Sequence, residues 1–227
     1  GACFGVSGGY ERAMWFALNN DKPEYKYSYN YQNWYSAAEF ETKNTTKNIG
    51  LYDLTPFSKF ELKGENVHEE LQKICTANIK NEIGKCTYTQ MLNTDGGIET
   101  DLTVVCLEKN YFRIISSAAT RERDKFHINK YLSNGLKLID VTDDYCVLGV
   151  FGPNSRLLMQ DLSKDNFSNH SFKFASSKYI SIDNIKIWTQ RLSYVGELGY
   201  ELYIKVKDAR KIYNLIIEKG AKYKISN

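Results

Sequence analysis

The chain has 227 residues, 42% of them hydrophobic and 25% charged, the composition of an ordinary globular protein with one large or two small domains. Its 30 basic and 27 acidic residues leave a net charge of +3 with no clustered basic stretch, which argues against a nucleic-acid partner. Its apolar runs are far too short to span a bilayer, and its five scattered cysteines (Cys3, Cys75, Cys86, Cys106, Cys146) form no Cys-x-x-Cys pair, so they read as buried free thiols.

The chain opens at Gly1 without a Met and stops at Asn227 just beyond a predicted helix, so both ends are expected to be cuts in a longer protein. Heavy use of Lys, Asn, Ile and Tyr with only 3 prolines suggests an AT-rich genome, hence a bacterial cytoplasm, or a mitochondrial matrix if the source is eukaryotic.

Residues 1–50 are aromatic and polar with no helical period. Gly1, Gly5, Gly8 and Gly9 follow no strand and lack the spacing of a dinucleotide fingerprint. The alternating Tyr25, Tyr27, Tyr29 and Tyr31 predict an edge strand or an extended arm, and a helix over 36–47 carries Ala37, Ala38 and Phe40. Phe60 and Leu62 alternate with charges before Gly64, which reads as a strand. Val67, Leu71 and Ile74 give a helix over 66–74. Two β-prone runs, 86–92 and 98–107, flank Asn93-Thr94-Asp95-Gly96-Gly97 and predict a hairpin. A strand over 111–115 follows. Ser116-Ser117 then caps a helix over 118–132 that ends at Asn134-Gly135. The run from Arg121 to Lys125 mixes both signs and reads as a solvated helix face.

Short strands over 136–141 and 145–151 complete the order β-α-β-β-β-α-β-β, which contains the split β-α-β skeleton of a ferredoxin-like unit plus one extra strand. Gly152-Pro153-Asn154 starts a helix with Leu157, Leu158 and Leu162 on its apolar stripe. A hairpin turns at Asp183-Asn184, Leu202 and Ile204 begin a further strand or end the loop before it, and a last helix covers 209–217. The fold class is α+β, with mixed or antiparallel sheets.

Two segments carry chemistry. On the strand after the Gly-Gly turn, Ile98, Leu102 and Val104 share one face, while Asp101, Thr103 and Val105 share the other. A carboxylate and a hydroxyl therefore project together, as at the edge of a polar cavity. The second segment holds Glu197 in a turn between Gly196 and Gly199, where glycine permits close backbone approach to a ligand. Pattern alone also allows a plain strand carboxylate and a solvated turn residue. His68, His127 and His170 lie far apart with no metal spacing, the first two expected exposed on helices, and no nucleophile elbow is present.

The stretch Gly50-Leu51-Tyr52-Asp53-Leu54-Thr55-Pro56-Phe57-Ser58-Lys59-Phe60, then 93–104, 150–156 and 194–201, resembles in that order and spacing the folate-binding aminomethyltransferase family of the glycine cleavage T-protein. The opening, residues 8–16 and 31–35, resembles the linker in dimethylglycine and sarcosine dehydrogenases, where an FAD-binding domain precedes the folate-binding part. The resemblance implies the aminomethyltransferase folate-binding fold. It also implies a linker over 1–50 after an FAD domain, folate-binding parts over 51–151 and 152–227, and a C-terminal barrel beyond Asn227.

By the same resemblance, Asp101 matches the family's aspartate near the reactive nitrogens of tetrahydrofolate, and Glu197 matches the glutamate that contacts the pterin. Thr103 and Tyr194 join the folate-binding set, Phe57 and Ile115 line the pocket, and Arg113 stands where the T-protein has a tyrosine. The implied activity is one-carbon transfer that forms 5,10-methylenetetrahydrofolate, with FAD only in the preceding, covalently linked domain. Folate is then the small-molecule partner. Free aspartate is a weak base at neutral pH, with a pKa of roughly 4, so orientation and charge would matter more than basicity. The alternatives are a non-catalytic folate-binding or assembly module, and a tetrahydrofolate-dependent demethylase of a sulfonium substrate.

Overall fold

The computed structural model describes residues 1–7, 10–18, 21–133 and 135–226. Gly8 and Gly9 of the linker motif, Asn134 of the expected helix end, and Asn227 lie outside them.

In chain order the elements are β1 (Ala2–Ser7), β2 (Tyr10–Phe16), α1 (Tyr35–Lys47), β3 (Ile49–Asp53), β4 (Ser58–Lys63), α2 (Val67–Ile74), β5 (Cys86–Leu92), β6 (Ile98–Glu108), β7 (Tyr111–Ser116), α3 (Arg121–Tyr131), β8 (Lys137–Asp140), β9 (Tyr145–Phe151), α4 (Ser155–Leu162), β10 (Ser177–Ile182), β11 (Ile185–Gln190), β12 (Gly199–Lys205), α5 (Val206–Gly220) and β13 (Ile225–Ser226).

The first large sheet has the order β5-β6-β7-β4-β8, antiparallel throughout. Removing β5 leaves the ferredoxin-like order, so β5 is the extra strand, added at the edge by the tight β5–β6 hairpin. That hairpin turns because the Asn93 side chain accepts from the backbone N–H groups of Asp95 (3.0 Å) and Gly97 (2.8 Å), while Gly96 takes φ +80°. The second sheet has the order β10-β11-β12-β9-β3-β13 and is antiparallel except where β13 runs parallel to β3. Its β10–β11 turn places Asp183 and Asn184 at φ 47° and 63°, the paired left-handed conformation that matches strand twist in a two-residue hairpin.

Helices cover the outer face of each sheet. Val67 and Leu71 of α2 and Ile128 of α3 bury against Leu102, Val104, Cys106 and Phe112. Leu158 and Met159 of α4 and Ile212 and Ile216 of α5 bury against Leu148, Val150, Leu202 and Ile204. The inner faces meet each other through Cys86, Val105, Ile115, Val147, Trp188 and Tyr203. The result is four layers, helix–sheet–sheet–helix, with a buried seam between the sheets.

Several expectations are corrected. Strand 145–151 does not extend the first sheet. As β9 it pairs with β3 and β12 in the second. Residues 21–33 form no strand. Tyr25 and Tyr27 stack at 5.6 Å, and both meet Trp34 edge-on, so the tyrosines build a side-chain cluster rather than a ladder. The unforeseen hairpin β1–β2 packs Cys3 and Trp15 on Ala37 of α1. The helix expected over 118–132 begins as a 3-10 turn over Ala118–Thr120, capped by Ser117, and becomes α-helical only at Arg121.

The run from Arg121 to Lys125 is not wholly solvated. Asp124 is 1% exposed and accepts from the hydroxyls of Thr100 and Thr120. His127 is buried, and the half-buried His68 bonds the Ile79 carbonyl at 2.9 Å. Leu157 points outward, and Met159 replaces it in the core. Cys3, Cys75, Cys86 and Cys106 are buried and Cys146 is partly so, and all five are free thiols.

Candidate functional site

The side chains of β6 alternate between two buried environments. Leu102 and Val104 enter the helix-covered core, and Val105 enters the seam between the sheets. Asp101 and Thr103 share the seam side, where it opens toward solvent. Asp101 is exposed and accepts from the Tyr88 hydroxyl at 3.0 Å. Tyr88 stands directly opposite Thr103 on β5, so the hairpin itself presents this tyrosine to the carboxylate. Thr103 is 5% exposed and lies across from Ile115 of β7, itself nearly buried.

An aromatic pair closes the opposite wall. The Phe57 and Tyr194 rings stack with centroids 6.0 Å apart and planes 16° from parallel. Phe57 is held from below: the buried Lys59 ammonium donates to the carbonyls of Phe57 (2.7 Å) and Thr55 (2.8 Å). Burial lowers the Lys59 pKa to about 8. The same loop is tied to the second sheet, since the Val147 N–H donates to the Thr55 hydroxyl at 3.1 Å. Tyr194 is 61% exposed, yet the protein around its ring desolvates the phenolate enough to raise its pKa above the ordinary value. The Glu201 charge adds to that rise, the Thr103 hydroxyl opposes it by hydrogen bonding, and Asp101 adds more.

The fold therefore gathers Asp101, Thr103, Ile115, Phe57 and Tyr194 at one end of the inter-sheet seam. Glu197 stands apart from this group. It is half-buried in the turn after Gly196 (φ +75°) and makes no hydrogen bond or ion pair with the described residues. The turn is anchored by the Leu198 carbonyl, which accepts from the Gly152 N–H (2.8 Å) and the Ser155 hydroxyl (3.2 Å) at the start of α4. Arg113 does not reach the cleft. It is 3% exposed, pairs with Glu61 at 2.5 Å, and lies 4.6 Å from the Tyr145 ring centroid and 5.5 Å from that of Tyr203.

Sequence reasoning missed three residues. Tyr88 was signalled by the hairpin pairing, which puts it opposite Thr103. Glu201 and Gln190 face each other on β12 and β11, 4% and 0% exposed, each with one polar atom lacking a partner. Burial raises the Glu201 pKa to about 7, and a Tyr203 hydrogen bond partly opposes that rise. Parity on β12 already set Glu201 opposite Tyr200 and Leu202.

A stacked aromatic pair, an exposed carboxylate and hydroxyl, and under-satisfied polar groups behind them suit a flat heterocycle with N–H donors. No group of three or more His, Cys, Asp and Glu among the described residues is arranged to hold a metal. A separate groove of about 960 Å³ lies between the β1–β2 hairpin, α1, β3 and α5, and it touches none of the gathered residues. No helix among the described residues is long and apolar enough to cross a membrane.

The family profile described as GCVT N-terminal domain matches residues 1–227. The chain is 33% identical over 221 residues to 4-methylaminobutanoate oxidase (formaldehyde-forming) of Paenarthrobacter nicotinovorans, covering 97% of this chain and 27% of that protein. It is 31% identical over 226 residues to the mitochondrial dimethylglycine dehydrogenase of Rattus norvegicus, covering 98% and 26%. The chain thus spans about a quarter of the length of these curated relatives. Among solved structures, the glycine cleavage system aminomethyltransferase T of Bartonella henselae superposes with a TM-score of 0.77 at 20% identity, over 96% of this chain and 54% of that one, which shows a common fold.

Proposed function

This chain belongs to the GCVT N-terminal domain family, an aminomethyltransferase-type domain related to dimethylglycine dehydrogenase, and on that footing we propose that it binds tetrahydrofolate and supports one-carbon transfer to it, forming 5,10-methylenetetrahydrofolate. The observation that supports the proposal is the exposed Asp101 carboxylate, held by the Tyr88 hydroxyl on the same side of β6 as Thr103, with the stacked Phe57 and Tyr194 rings lining the same inter-sheet seam. In the longer protein we place this domain next to an FAD domain that oxidises an N-methyl donor, in a bacterial cytoplasm or a mitochondrial matrix. The linker at 1–50 and the folate-binding parts at 51–151 and 152–227 belong to the same proposal.

Bound tetrahydrofolate supplies the nucleophilic nitrogens that accept the one-carbon unit. Phe57 and Tyr194 offer a π-surface for the pterin, and stacked pairs of this kind contribute about 0.5–1.5 kcal/mol beyond area burial. Ile115 supplies an apolar floor. Glu197, with no other partner among the described residues, is free to accept from pterin N–H groups. Asp101 orients the reacting nitrogen, stabilises positive charge that develops there and takes its proton. The Tyr88 hydroxyl fixes the Asp101 Oδ2 lone pairs and leaves Oδ1 for that proton.

Titration of tetrahydrofolate into the intact protein tests binding, and Asp101→Asn tests the chemistry. The variant should bind folate, continue to demethylate the donor and release formaldehyde instead of methylenetetrahydrofolate. Methylenetetrahydrofolate formation at the wild-type rate would overturn the role of Asp101.

A further inference from the structure

Strand β4 carries an ammonium into the inter-sheet seam. Phe60 and Leu62 enter the helix-covered core, so Lys59 and Glu61 point the other way, and Lys59 stands directly across from Ile115 of β7. Lys59 is 0% exposed and is the one buried lysine among the described residues. No carboxylate among them pairs with it. Its Nζ donates instead to two neutral carbonyls, those of Phe57 at 2.7 Å and Thr55 at 2.8 Å. Burying a cation without a counter-ion is costly, and a methionine of similar length would fill the space without that cost.

Both carbonyls belong to the turn 54–57, where the chain crosses from β3 in the second sheet to β4 in the first. The start of the turn is tied to the second sheet. There the Leu54 N–H donates to the Val147 carbonyl at 2.9 Å, and the Val147 N–H donates to the Thr55 hydroxyl at 3.1 Å. Further along, Pro56 has no N–H to give, and the Phe57 N–H turns back to the Leu54 carbonyl at 3.2 Å. Among the described residues, Lys59 is the only side chain that bonds the Phe57 backbone. The ring carried by that peptide is the one that lies 6.0 Å from Tyr194 and 16° from parallel, and Tyr194 comes from a separate loop before β12. The stack therefore depends on how firmly the turn is held.

We propose that Lys59 is a positioning residue of the folate cleft: by clasping the Thr55 and Phe57 carbonyls, its ammonium holds the Phe57 ring parallel to Tyr194 before a ligand arrives. The proposal rests on the folate reading above. A hydrogen bond from a charged donor is about twice as strong as a neutral one, which is the reason for an ammonium at this place. A wall fixed beforehand spares the ligand the cost of ordering it.

A double-mutant cycle on the intact protein tests this. Phe57→Leu should weaken tetrahydrofolate binding about threefold to tenfold. Lys59→Met should weaken it by the same factor, because the ring remains but is no longer held. The double variant should bind as each single one does, since the stack can be lost only once. Losses that multiply, or wild-type affinity in Lys59→Met, overturn the proposal. A second readout needs no folate. With fluorotyrosine incorporated, the fluorine resonance of Tyr194, assigned by its loss in Tyr194→Phe, should move in Lys59→Met to its position in Phe57→Leu. A resonance that stays at the wild-type position overturns the coupling. Should Lys59→Met not fold, Lys59→Gln keeps neutral N–H donors, and its resonance should lie between those two positions; the wild-type position there is again the overturning result. Failure of tetrahydrofolate to bind the wild type removes the folate reading instead, and the Tyr194 resonance still decides whether Lys59 holds the stack.

Discussion

The two ends of the inter-sheet seam are built from the same strands and treat polar groups in opposite ways. At one end Arg113, Glu61, Tyr111 and Tyr145 are knit together. Arg113 donates to Glu61 and to the Tyr145 hydroxyl at 3.1 Å, and Tyr111 donates to Glu61. At the other end, two positions along on β7 and on β6, the polar groups are sparsely bonded: Asp101 holds one hydroxyl and faces solvent, and Glu201 and Gln190 keep idle atoms. At the first end Arg113 Nη1 alone of these four groups' buried side-chain atoms lacks a partner, so the cluster is bonded mainly to itself. The unsaturated end keeps its hydrogen-bonding capacity for a ligand. On the proposed function, the densely bonded groups hold the fold and the sparsely bonded ones meet the ligand.

The sharpest way to break that distinction is at the saturated end. Arg113→Met leaves Glu61 buried without its cation and should cost about 3–5 kcal/mol of stability, read from urea unfolding. The double variant Arg113→Met/Glu61→Leu should recover most of the loss. At the open end, Asp101→Asn should lower transfer to folate about hundredfold or more and change stability by less than about 0.5 kcal/mol. A large stability loss there would place Asp101 with the structural groups.

Two buried groups with displaced pKa values, Glu201 and Lys59, give opposite pH slopes. Glu201 titrates higher when folded, about 7 against 4.5, so the unfolded chain binds fewer protons between those values. Its contribution is fully present below 4.5 and is lost as pH rises through 7. Lys59 titrates lower when folded, about 8 against 10.5, so the unfolded chain binds more protons there, and stability climbs between those values. Glu201→Gln should erase the first slope and Lys59→Met the second in thermal melts taken across pH. Smallest is the stack. Phe57→Leu should weaken tetrahydrofolate binding about threefold to tenfold, read by titration calorimetry, with the demethylation rate unchanged.

Much of this was legible in the chain itself. Period-2 alternation placed Asp101 and Thr103 on one face of β6 before any neighbour was known, because a strand's side-chain parity is a local property. Turn chemistry was equally local: Asn93 to Gly97 and Asp183-Asn184 carry residues that tolerate the left-handed conformations the structure uses there. The cap at Ser117 was visible for the same reason. The family resemblance named Phe57, Ile115 and Tyr194 as candidates, three residues that no local pattern singles out.

Which surfaces those faces meet was not local. Parity put Glu201 opposite Tyr200 and Leu202, yet an acidic residue on a strand ordinarily faces water. Only the first sheet, packed over β12, made it buried and unpartnered. Asp124 and His127 likewise looked like members of a charged, exposed helix until α3 was laid against the first sheet. Strand 145–151 could be recognised as apolar, but its partners β3 and β12 lie more than forty residues away on either side, and that pairing was decided by the global stacking of layers. From β4 onward most elements, their facing and their turns could be read from the chain, since these depend on backbone sterics within a few residues. The tertiary structure decided burial, partners and the proton affinity of Glu201, since those depend on what the second sheet brings within a few ångströms.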